Sequence, residues 1–98
     1  MSYLVQILLP ISEQRHMAQQ LSAIKEELTE RFGGVTMYIN AAEGLWDDGD
    51  DVQQDRIAVV EVMAPAIHRP WWKAYKYQLQ STFDQDEVVI RTAFIDRI

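Results

Sequence analysis

Gln6, Tyr38, Glu61 and Arg91 each interrupt an otherwise apolar run, as in Leu4-Val5-Gln6-Ile7-Leu8 and Val59-Val60-Glu61-Val62-Met63. An amide, a phenol, a carboxylate and a guanidinium brought together can hold a polar ligand. They can also raise a carboxylate pKa towards general-base work, with the arginine stabilising an oxyanion. The same residues equally suit a satisfied network that fixes the register of two subunits. Taking an isolated Glu or Arg out of water costs several kcal/mol, so wherever these two are buried they need partners.

The elements that must position them follow from periodicity. Residues 3–9 alternate as a strand, with Tyr3, Val5, Ile7 and Leu9 on one face and Leu4, Gln6 and Leu8 on the other. Ser12 is an N-cap candidate with Glu13 behind it. Met17, Leu21, Ile24, Leu28 and Phe32 then form one helical stripe, which Gly33 is suited to end. Residues 35–40 read as a second strand. Residues 41–55 read as the longest loop, because five aspartates (Asp47, Asp48, Asp50, Asp51 and Asp55) disfavour a strand, although Leu45 and Trp46 are placed to pack back. A third strand spans 56–63 and stops at Pro65. From Pro70 a second helix carries Trp72, Tyr75, Leu79 and Phe83 on one stripe, and 87–95 is the last strand.

The order is therefore βαββαβ over a single domain, residues 1–98. Short connections and right-handed crossovers then predict an α+β, ferredoxin-like sandwich: an antiparallel four-stranded sheet ordered 4-1-3-2, with two helices on one face. Alternation along each strand sends Arg91, Gln6, Glu61 and Tyr38 to the open face as a polar row across four strands. A one-residue slip in any strand would send its member to the other face. Leu4, Leu8, Ile57, Val59 and Ile95 make that open face apolar, which predicts a homodimer formed by covering it.

Ala42-Glu43-Gly44-Leu45-Trp46, then Asp48-Gly49, then the run from Asp55 to Met63, resemble a group of small bacterial proteins of unassigned function. The similarity extends to Trp71-Trp72 and the last strand, so it covers most of the chain. The inferred fold resembles, more distantly, the dimeric α+β barrel proteins, which include cofactor-independent monooxygenases and small isomerases. The resemblance implies a homodimer and leaves activity open, since no catalytic motif of those enzymes maps residue by residue onto this chain.

Composition narrows the function classes. The 98 residues carry 15 acidic against 9 basic side chains, a net charge of −6. That balance opposes nucleic acid and anionic membrane surfaces, both of which need clustered Lys and Arg. The absence of Cys excludes disulfides, thiolate metal sites and a Cys nucleophile. The apolar start lacks a basic flank and is broken by Gln6 and Pro10, so it reads as a strand in a cytosolic protein rather than a signal or a span.

Three further stretches could do chemistry. Asp47-Asp48-Gly49-Asp50-Asp51 invites a calcium reading but lacks the spacing of an EF-hand, and a solvated turn accounts for it. His16 stands without a second histidine near it and reads as a surface residue. His68-Arg69-Pro70-Trp71-Trp72-Lys73, with Lys76, is the most basic stretch, placed against the dipole at a helix start, where an anion could sit. Solvated side chains with one core tryptophan explain it equally. The expectation is a homodimer with no metal or prosthetic group. Its molecular role is left open, and the ligand expected, if it binds one, is a small, partly apolar molecule between sheet and helices, touched by residues among Gln6, Tyr38, Trp46, Glu61, His68, Arg69, Trp72 and Arg91. The alternatives are a cofactor-independent monooxygenase or isomerase with Glu61 as base, and an interaction module without chemistry.

Overall fold

A computed structural model describes residues 2–11, 16–47, 49 and 52–98, with the backbone alone described at 40–44, 46–47 and 52–55. The elements run β1 (Ser2–Ile11), α1 (Met17–Phe32), β2 (Thr36–Asp47), β3 (Val52–Ala64), α2 (Arg69–Thr82) and β4 (Val89–Ile95). The strands form one antiparallel sheet in the order β2-β3-β1-β4, the 4-1-3-2 order expected. That order is compatible with a ferredoxin-like fold.

Both helices pack on one face of the sheet. Val5, Ile7 and Leu9 of β1 and Ala58, Val60 and Val62 of β3 meet Ile24 and Leu28 of α1 and Trp72, Tyr75 and Leu79 of α2 in a single core. Met17, Leu21 and Phe32 complete the α1 stripe as half-buried residues against that core. Gly33 ends α1 at φ 84°, a conformation that costs a residue with a Cβ, and its N–H reaches Thr29 O at 2.8 Å. At the other end α1 begins at Met17 with His16 in the cap position; Ser12 and Glu13 lie outside the described residues. Pro70 occupies the first turn of α2, as its missing N–H allows.

The β2–β3 hairpin departs from expectation. Residues 41–55 are not a long loop: β2 continues to Asp47 and β3 begins at Val52, with Trp46 opposite Gln53 and Asp47 opposite Val52. Backbone pairing holds the extension despite its polar sequence, with Glu43 opposite Arg56 in the ladder register. Periodicity hid this because β2 carries a bulge. Between the Tyr38–Val59 and Ala42–Ile57 pairs β2 advances four residues while β3 advances two, so the regular pairing is broken just where the sequence predicts the strand to end. Leu45 does not pack back; it is exposed.

The open face is less bare than its composition suggested. Ile57 is already buried within one chain, while Leu4, Leu8, Val59 and Ile95 are half-buried. Tyr38 and Met63 project from the same face with 46% and 43% of their surface exposed. Among the described residues no helix is long and apolar enough to cross a membrane.

Candidate functional site

β1 lies between β3 and β4, so Gln6 stands opposite Glu61 on one side and Arg91 on the other. Gln6 Nε2 donates to Glu61 Oε1 at 2.6 Å, and Arg91 Nε donates to Gln6 Oε1 at 2.8 Å. The amide can point only one way in this arrangement, because a carboxylate only accepts and a guanidinium only donates. Gln6 therefore bridges the two charges, which form no direct ion pair. Glu61 and Gln6 are half-buried and Arg91 is exposed.

Three members of the expected row are thus joined, and the fourth is not Tyr38. Thr36 is the β2 residue opposite Glu61, and Tyr38 stands opposite Val59, one pair further along the same face. The face has alternating rows. Arg91, Gln6, Glu61 and Thr36 run between two apolar rows, Val89–Leu8–Val59–Tyr38 and Ala93–Leu4–Met63. Strand alternation could assign the face, but only the bulge-corrected register assigns Thr36 to the row.

A cleft of about 400 Å³ opens at the β2 end of this row. Its origin is a mismatch of strand lengths. β2 starts at Thr36, opposite Glu61, while β3 continues to Ala64, so the last residues of β3 have no partner on that side. Phe32 and the Gly33-Gly34 turn close one wall and Leu4, Val35 and Met63 supply apolar surface. Glu61 and Arg97 are the charged residues that line it. Arg97 lies beyond the last strand, where no periodic or motif signal marks it in the sequence.

The remaining candidates are dispersed. Trp72 is a core residue, stacked on Phe32 with ring centres 5.2 Å apart, and lines no part of the cleft. Trp71 is half-buried between Phe32 and Tyr75 and carries the Arg31 guanidinium 4.1 Å above its ring, a cation–π contact at the C-terminal end of α1. His68 and Arg69 are exposed at the start of α2, and His68 makes no side-chain cap. Lys76 is drawn off to Glu87 at 3.4 Å. Arg69, Lys73 and Lys76 recur at four- and three-residue spacing and so share one side of α2, with Arg69 and Lys73 exposed. His16 and His68 begin different helices whose parent strands run antiparallel, which keeps them at opposite ends of the sheet.

The side chain of Trp46 and the loop residues Asp48, Asp50 and Asp51 lie outside the described residues. Among the described residues no group of three or more His, Asp or Glu side chains is placed to hold a metal ion. No protein-family model matches the chain, and no curated protein matches it.

Proposed function

We propose that the chain is a cytoplasmic, homodimeric domain of ferredoxin-like topology that binds a small, partly apolar molecule in the cleft at Glu61. The observation that carries the reading is a carboxylate held in one orientation by Gln6 at the wall of a cleft above the roughly 300 Å³ at which small-molecule sites begin. Leu4, Phe32, Val35 and Met63 offer an apolar body its contact surface, while Glu61 and Arg97 select polar groups at its ends. The apolar rows on both sides of the bridge support dimerisation through the open sheet face, since a second chain would cover them and leave the polar row matched to its copy.

A second reading draws on the same cleft. A carboxylate and a guanidinium facing one substrate are the base and the charge stabiliser that a cofactor-independent isomerase or oxygenase acting on a carbon acid needs. In that reading Arg97, which lines the cleft, takes the role first assigned to Arg91, which is held by Gln6.

Titration of ¹⁵N-labelled protein with small aromatic carboxylates and aromatic amines tests the binding site. Saturable shifts at Thr36, Glu61, Val62 and Arg97 are expected from at least one class. Millimolar additions that leave those four residues unmoved would overturn the cleft as the site. Consumption of an activated carbon acid, abolished by Glu61→Gln, separates the enzyme from the binder.

A further inference from the structure

The polar row carries its charges unevenly. Arg91 lies on one side of Gln6 and Glu61 on the other, each one strand away at about 4.8 Å. The bridge engages only part of each charge: Nε of the guanidinium and Oε1 of the carboxylate. The N–H groups on the terminal nitrogens of Arg91 lie outside the bridge, as does the second carboxylate oxygen of Glu61. Both charges stand on the sheet face opposite the helices, between two apolar rows. A second chain that covers those rows also covers the charges, and a covered charge needs an opposite one.

We propose, resting on the homodimer reading above, that the second copy lies on this face with its twofold axis running along β1. Glu61 then pairs with the partner's Arg91, and Arg91 with the partner's Glu61. Symmetry leaves few ways to lay the face on itself, because an isologous contact needs a twofold axis lying between the two sheets. An axis along the polar row sets each charge on its own copy, and like charges so placed cost several kcal/mol. An axis along β3 or β4 likewise brings two glutamates or two arginines together. An axis between β1 and β3 sets Glu61 on the partner's Gln6 and Arg91 on the partner's Thr36, so both charges are covered without an opposite. An axis along β1 exchanges the strands on its two sides, so β3 lies over the partner's β4 and opposite signs meet twice.

The apolar rows agree with that axis. Leu4 and Leu8 lie on it and meet their own copies, while Val59 meets the partner's Val89 and Met63 the partner's Ala93. Packed sheets lie about 10 Å apart and cross at about 30°, so facing residues stay closest at the crossing point. Gln6 stands there, and the two long charged side chains beside it reach across the gap. Each chain's net charge of −6 opposes association at a distance, so the attraction has to come from the face itself. Glu61 also lines the cleft, which gives each site a wall shared with the partner.

The test is sedimentation of the wild type, Glu61→Arg, Arg91→Glu, their equimolar mixture, and the chain carrying both changes. Each single reversal sets two like-charge contacts in the dimer and should weaken it by about a hundredfold or more. The mixture should recover, because one chain brings two arginines and the other two glutamates. The doubly reversed chain should recover as well, with the Gln6 amide turned over to serve the exchanged charges. Arg91 is exposed, so Arg91→Glu should fold, and circular dichroism checks this for each variant. If Glu61→Arg does not fold, Arg91→Gln replaces it: its dimer should be weaker than the wild type and tighter than Arg91→Glu. An Arg91→Gln dimer tighter than the wild type means that arginine faces arginine, and overturns the pairing. A wild type that stays monomeric at high micromolar concentration overturns the homodimer and the pairing together. A wild-type dimer that the single reversals leave unchanged, or that either recovery fails to restore, overturns the pairing and leaves the homodimer standing.

Discussion

Gln6 and Glu61 are joined side chain to side chain at 2.6 Å across the two central strands, 55 residues apart in sequence. Because Gln6 also accepts from Arg91, the charges of Glu61 and Arg91 communicate through an amide rather than by contact. Gln6→Leu removes a donor from a half-buried carboxylate and should cost about 1–3 kcal/mol in urea unfolding. Arg91→Ala should cost less than about 1 kcal/mol in dilute single chains, because Arg91 is exposed there. An Arg91→Ala loss of about 3–5 kcal/mol at that dilution would be the behaviour of a desolvated direct pair and would contradict the bridge.

The paired apolar rows predict that sedimentation at micromolar concentration returns twice the monomer mass. Leu8→Asp or Val59→Asp should shift that equilibrium towards monomer, since each puts an unpaired charge between the two faces. In the dimer the effect of Arg91→Ala should rise, as the same guanidinium becomes covered. A clean monomer at high concentration removes the dimer and leaves the cleft to be judged alone.

Tyr75 predicts an alkaline limit to stability. Its folded-state pKa lies above the usual 10.0, first through burial and second through the Glu27 charge. The unfolded chain releases this proton near pH 10 while the folded chain keeps it, so the stabilisation is complete below pH 10 and is lost as pH rises beyond it. Tyr75→Phe should flatten that part of the stability curve relative to the wild type. At neutral pH the same change should leave stability unchanged or raise it by up to about 1 kcal/mol, because the hydroxyl it deletes is unpaired among the described residues. Parallel alkaline curves for the two proteins would show that Tyr75 ionises as freely folded as unfolded.

The Asp47-Asp48-Gly49-Asp50-Asp51 run predicts no specific calcium site, since it lacks EF-hand spacing. Millimolar Ca²⁺ should leave the thermal midpoint unchanged, since a cation specific to the folded state raises stability by RT ln(1 + [L]/Kd). A rise of several degrees that Asp50→Asn abolishes would establish a metal-binding turn.

The sequence by itself determined the element order and the inward-facing residues, because local periodicity carries both. The Val5, Ile7 and Leu9 alternation and the Trp72, Tyr75, Leu79 and Phe83 stripe each need only one element's geometry. It also determined that Gln6, Glu61 and Arg91 share a face, since each has a single parity within an unbroken strand. Pairing decided the rest. The bulge after Tyr38 placed Thr36, not Tyr38, beside Glu61, and it carried β2 and β3 through a stretch whose composition reads as loop. The cleft at Glu61 comes from unequal strand lengths, and Arg97 reaches it from outside any strand. Gln20 and Tyr75 stand on two different helices, and the burial of their unpaired atoms belongs to the folded chain rather than to either segment's sequence. Periodicity is a property of one segment, whereas register, strand mismatch and polar satisfaction are properties of two segments in contact. Only the tertiary structure contains them.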